Sequence, residues 1–135
     1  MSVLVVVHAD DLVLLLHRKA PFNFWQSVTG SLLESECHAD AARRELAEET
    51  GLTDEGTLRY TGISRQFAID SRWRHKFAAG VVENVEFEWR YQLPKPVDII
   101  LNRDEHSEFE WLPVADATHR VWSWTNRDAF LGLAP

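Results

Sequence analysis

Glu45, Glu48 and Glu49 stand at i, i+3 and i+4 of a stretch rich in Ala, Leu, Glu and Arg, so in a helix they share one face. Like charges at these spacings cost about 0.2–0.5 kcal/mol per pair. They also crowd the last turns before Gly51, where the helix dipole prefers cations. Arg44, four residues before Glu48, offsets part of that repulsion. A sequence that carries such penalties usually has a compensating ligand. Three clustered carboxylates are hard oxygen ligands, suited to Mg²⁺ or Mn²⁺ and poorly to Zn²⁺. On spacing alone, the same cluster also reads as a solvated acidic helix face.

The surrounding residues narrow the choice. Gly30 is followed after five residues by Glu36, then after seven by Arg44-Glu45-Leu46, after one by Glu48-Glu49, and after one by Gly51-Leu52. This run resembles the Nudix box, with every defining position filled. The resemblance implies a loop–helix–loop that binds a divalent metal and hydrolyses a diphosphate linked to another moiety. Phosphoanhydride hydrolysis needs neutralised oxyanions, positioning and an activated water, which carboxylates supply through a bound cation. By resemblance, Glu45 and Glu49 are the leading metal ligands, with Glu48 and the Gly30 carbonyl as additional ones. Glu36 becomes a metal-shell or supporting carboxylate, and Arg44 orients the glutamates. Two positions depart from the common pattern: Ser35 stands where Gly is frequent, and Cys37 where Ser or Thr is frequent. Ser35 is a candidate helix cap, and Cys37 is expected to be a small packed residue without a nucleophilic role.

The approach to the box, Phe24-Trp25-Gln26-Ser27-Val28-Thr29-Gly30, lacks the Pro and first Gly of the general family turn. It resembles the branch of the family that acts on dihydroneopterin triphosphate. So do Arg74-His75-Lys76-Phe77 with Gly80, Asn84 and Glu86, Glu105-His106 before Trp111, and Ser123-Trp124-Thr125-Asn126-Arg127. By that resemblance Glu105 enters from a distal loop as a further metal ligand or as the general base, and Glu48 remains the other candidate base. Arg72, Arg74, His75 and Lys76, with Arg18 near the first hairpin, are candidates for the outer phosphates. Trp25, with Phe24 beside it, is the expected stacking partner for a flat ring, while Trp89, Trp111, Trp122 and Trp124 are expected in the core or against helices.

These residues need a scaffold. Ser2–Ala9 and Leu12–Arg18 read as a hairpin turning at Asp10–Asp11, and Pro21–Asn23 as a loop before a short strand Trp25–Val28. His38–Thr50 is the strong helical stretch, with Ala39, Ala42 and Leu46 as its apolar stripe and Gly51 as a left-handed cap. Leu58–Ile69, Lys76–Val82, Glu86–Gln92 and Glu108–Leu112 read as strands, Pro94–Asn102 as irregular, and Asn126–Leu133 as a closing helix. Strands on both sides of a central helix, without regular βαβ alternation, indicate one α+β domain over residues 1–135 with a mixed sheet. The resemblance implies the Nudix fold.

The 135 residues carry 21 acidic and 14 basic side chains, a net charge of −7. That sign argues against broad nucleic-acid binding. Yet Glu34–Glu55 holds eight acids and two arginines, a local −6, whereas Arg59–Lys76 sums to +4. The acidity is mostly one block, and that block is the candidate metal site. Apolar runs of five residues are too short to span a bilayer, no signal-like start is visible, and one cysteine suits a reducing cytoplasm. The expected partner is a small-molecule triphosphate, with no nucleic acid and no membrane. The expected activity is Mg²⁺-dependent hydrolysis of dihydroneopterin triphosphate to the monophosphate and pyrophosphate. A (d)NTP pyrophosphohydrolase acting on dATP and a silent binding module are the alternatives. Replacing Glu49 with Gln is predicted to abolish Mg²⁺-dependent turnover while circular dichroism reports an intact fold; turnover near wild type would refute the ligand assignment.

Overall fold

The computed structural model describes residues 1–133. Its strands are β1 (Ser2–Ala9), β2 (Leu12–Arg18), β3 (Phe24–Gln26), β4 (Val28–Ser31), β5 (Thr57–Ala68), β6 (Glu83–Gln92) and β7 (Glu108–Pro113). The helices are α1 (His38–Thr50), α2 (Val114–Arg120) and α3 (Trp124–Leu131). The strands form one sheet in the order β3-β2-β1-β6-β5, with β4 also paired to β1 and β7 to β2. β1 and β6 run parallel and the other pairs antiparallel, so the sheet is mixed as expected.

β1 is central and apolar on both faces, hence its unbroken Val-rich run. Val3, Val5 and Val7 pack with Ala41, Ala42 and Leu46 of α1. Leu4 and Val6 face the opposite way, toward Ala117 of α2 and Phe130 of α3. Full burial of each such Val, Leu or Phe contributes about 1.5–3 kcal/mol. Alternation along one strand thus fixes α1 on one face and α2–α3 on the other.

α1 has the expected bounds, and Gly51 caps it at φ 74° with its N–H on the Ala47 carbonyl, 2.9 Å. Its seat is wider than the apolar stripe: Ala41 is buried with Ala42 and Leu46, as are Glu45 and Glu49, while Ala39 is only partly buried. The start of α1 differs from expectation. Cys37, in extended backbone, is the N-cap residue; it makes no side-chain cap bond and is exposed rather than packed. Ser35 does not cap the helix; it sits at φ 64° in the loop before it.

Other expectations are corrected. The expected strand Trp25–Val28 breaks at Ser27, whose N–H leaves the ladder to donate to Asn126 Oδ1 at 2.8 Å. β3 then pairs with β2, and β4 with β1. Lys76–Val82 is not a strand. Arg74–Lys76 is a 3₁₀ turn, Gly80 takes φ 85°, and the Ile69 N–H meets the Val82 carbonyl at 2.7 Å, closing residues 70–82 into a loop. β6 begins at Glu83, and α2 was not foreseen. α3 starts at Trp124, two residues early, because Ser123 Oγ accepts the Thr125 N–H at 3.2 Å.

The left-handed backbone at Ser35 yields a stability test. A side chain in that region costs about 1–2 kcal/mol, partly offset by the greater unfolded freedom of Gly. Ser35→Gly is therefore expected to stabilise the protein by about 0.5–1 kcal/mol, read as a rise of a few degrees in Tm. A lower Tm would show that Ser35 makes a compensating interaction.

Candidate active site

The carboxylates of α1 separate into two groups. Arg44 lies on the outer side and takes Glu36 in a bidentate grip, with both N···O distances 2.9 Å. It also donates to Glu45 Oε1 at 2.8 Å and to the Ser31 carbonyl at 2.9 Å. Glu48 receives only the weaker 3.4–3.5 Å contacts, and its side chain is half exposed. The guanidinium and the Leu33 N–H hold Glu36 down to about 2, while Glu36 and Glu45 hold the Arg44 proton tightly. Arg44, expected to orient the glutamates, is placed among Glu36, Glu45 and Glu48. Glu36 supports Arg44 and stands off from the cleft.

The inner group is different. Glu49 is 1% exposed, and one of its carboxylate oxygens, a Glu105 oxygen and a His106 nitrogen lie within 4.8 Å of one another. Glu49 Oε2 is 2.6 Å from His106 Nδ1, but out of line for a hydrogen bond, so both atoms lack a partner. Burial pushes Glu49 up, and its contact with Glu49 pushes Glu105 up. Burial also raises Glu45 to about 7 against the pull of Arg44. Such crowded, half-neutralised carboxylates suit a hard divalent cation, whose charge reverses each of those penalties. Thr29 donates to Gln26 Oε1 at 3.4 Å, which turns Gln26 Nε2 toward His106 Nε2 at 3.2 Å. That ring nitrogen is then the acceptor, and the proton sits on Nδ1, facing Glu49. His106 is buried and lowered to about 4, so it is a neutral ring packed beside Glu49. The sequence signalled it only as the neighbour of Glu105.

Glu45 starts on the helix face of the sheet and must reach past β4. Gly30 allows this: a Cβ there would overlap the Glu45 carboxyl. Both residues line a cleft of about 520 Å³, together with Glu105, Arg18 and Lys76. Burial and the nearby Arg18 charge lower Lys76. The acids and these two cations therefore meet in one place, which is the requirement for handling a polyphosphate.

Not every expected residue arrives there. Arg72 turns to Asp70 at 2.8 Å and lies over the Phe22 ring at 3.9 Å. Arg74 donates to the Ile69 carbonyl, and neither it nor exposed His75 lines the cleft. Of that basic run only Lys76 does. Trp25 is also displaced: it alternates with Phe24 and Gln26, packs against the core under α2–α3, and sits 4.8 Å from His17. Phe24 lines the cleft instead, with Trp73, Trp122 and Trp124. Phe24 and Trp73 lie 5.5 Å apart, and Trp73 and Trp122 5.3 Å. Trp122 and Trp124 are about half exposed rather than core residues, while Trp89 and Trp111 pack in the core as expected.

Known proteins share this arrangement of elements. The family model described as NUDIX domain matches residues 1–131. The chain is 38% identical to the dihydroneopterin triphosphate diphosphatase of Escherichia coli (strain K12), over 95% of this chain and 87% of that protein. It is 35% identical to an RNA pyrophosphohydrolase of Caulobacter vibrioides, over 92% of this chain and 69% of that protein. The solved structure of the E. coli dihydroneopterin triphosphate pyrophosphohydrolase superposes with a TM-score of 0.90, covering 97% of this chain and 92% of that one. A domain match across nearly all residues, together with a 38% identical relative, shows that this chain belongs to the NUDIX family.

Proposed function

We propose that this protein is a divalent-metal-dependent pyrophosphohydrolase that converts dihydroneopterin triphosphate to its monophosphate and pyrophosphate. The observation that carries the reading is the convergence of Glu45, Glu105, Arg18 and Lys76 on one cleft, with buried Glu49 behind them. The named relatives, similar over nearly the whole chain, supply the substrate. Mg²⁺ is the proposed ion, with Mn²⁺ as a substitute, because the donors are chiefly carboxylate oxygens. Held by Glu45 and Glu49, it would neutralise phosphate oxygens and acidify an attacking water. Glu48 and the Gly30 carbonyl remain secondary ligands in this reading. Arg18 and Lys76 bind the phosphate oxygens left over, and the neutral His106 ring packs beside Glu49.

Glu105 is the proposed general base. It lines the cleft, whereas Glu48 is engaged by Arg44 on the outer side. A base acts deprotonated, so activity falls as pH drops through its pKa, and the upward push on Glu105 moves that limb to higher pH than for an ordinary glutamate. The acidic net charge fits a small-molecule partner rather than nucleic acid. A cytoplasmic location fits the single Cys37; no described helix is long and apolar enough to cross a membrane.

Pyrophosphate release should be measured with Mg²⁺ across dihydroneopterin triphosphate, the dNTPs and nucleotide sugars. Metal-dependent release, fastest from dihydroneopterin triphosphate, is the expected outcome. Faster release from dATP would make this a nucleotide enzyme, and none from any member would make it a binding module. Glu105→Gln is expected to lower kcat by about 10²–10⁴-fold and to erase the acidic limb of the pH–rate profile. A retained limb with a raised metal requirement would instead make Glu105 a ligand.

A further inference from the structure

Asn84 and Glu86 are two residues apart on β6, so their side chains leave the same face. Both line the cleft, and they are 6% and 5% exposed. Asn84 Nδ2 donates to Ser2 Oγ at 2.7 Å, which fixes the amide and leaves Oδ1 with no partner. Glu86 Oε1 also has no partner. Two side chains that line the cleft therefore each carry a buried acceptor without a donor, an arrangement that native proteins rarely keep unless a water or a ligand completes it.

Their position fits one part of a ligand. Ser2 pairs with Glu86 on one side and with Ser31 on the other, so Glu86 lies two strand spacings, about 10 Å, from the end of β4 that carries Gly30. That distance separates a reacting phosphorus at the carboxylates from a ring held by a sugar-like linker. The aromatic wall of Phe24, Trp73 and Trp122 offers that ring a flat contact.

We propose that Asn84 and Glu86 read the hydrogen-bonding edge of the substrate's heterocycle, selecting a 2-amino-4-oxo ring over a 6-amino purine. A pterin or guanine ring of that class presents a ring N–H and an exocyclic amine side by side, two donors for the waiting acceptors. An adenine edge presents one donor beside an acceptor, and the acceptor would meet a carboxylate oxygen. The inference rests on the reading that the cleft takes a heterocyclic phosphate, and it names the residues that choose the ring.

Calorimetric titration with neopterin monophosphate, GMP and AMP reads ring choice apart from catalysis. Wild type should bind the first two at least about tenfold more tightly than AMP. Glu86→Gln, of the same shape, replaces one acceptor by a donor and should bring the three affinities within about threefold. Asn84→Leu should weaken neopterin monophosphate by about tenfold and AMP by less. Thermal unfolding confirms that each variant is folded. Equal or better AMP binding by wild type, or an unchanged preference in both variants, overturns the proposal. Ring preference without pyrophosphate release from any triphosphate would sink the hydrolase reading and leave this one standing.

Discussion

The Arg44 guanidinium is bonded at once to Glu36, Glu45, Glu48 and the Ser31 carbonyl, and the site depends on that one group. It joins the end of β4, the loop before α1 and α1 itself into one unit. Without a cation there, Glu36, Glu45 and Glu48 would repel across the same turns. With it, Glu36 is fully ionised and Glu45 is aimed inward. The bidentate grip suits the planar fork of arginine, which lysine does not reproduce.

That organisation turns an expensive helix into a working one. Glu45 and Glu49 occupy positions that core packing would give to apolar residues, and their burial disfavours the charged form. The strain is concentrated on the cleft side, facing Glu105, Arg18 and Lys76. Gly30 is the passage through which a side chain from one face of the sheet reaches a cleft shared with the other. The net charge of −7 is thus a poor guide to the cleft, where Arg18 and Lys76 stand beside the acids.

Much of the scaffold was legible because it follows local rules. β1, β2 and α1 match their expected bounds, since a Val-rich strand, a tight hairpin and an Ala/Leu/Glu/Arg helix ended by Gly are each specified by neighbours in sequence. Residues 76–82 misled because Phe77, Val81 and Val82 look like strand residues, but Gly80 turns the chain and Val81 and Val82 are exposed. The Trp25–Val28 segment misled for a tertiary reason: Asn126, 99 residues away, captures the Ser27 N–H and splits one strand into two.

By itself the sequence determined the family pattern, the carboxylate-bearing helix and the chemistry those carboxylates suit, because residue type and i, i+3, i+4 spacing are local properties. Only the tertiary structure decided which members meet. It brought Glu105 and His106 to Glu49, left Glu36 and Glu48 with Arg44, admitted Lys76 and Arg18, and kept Arg72, Arg74, His75 and Trp25 out. The physical reason is strand alternation and loop closure. Moving one residue along a strand sends a side chain to the opposite face, so Phe24 enters the cleft and Trp25 cannot.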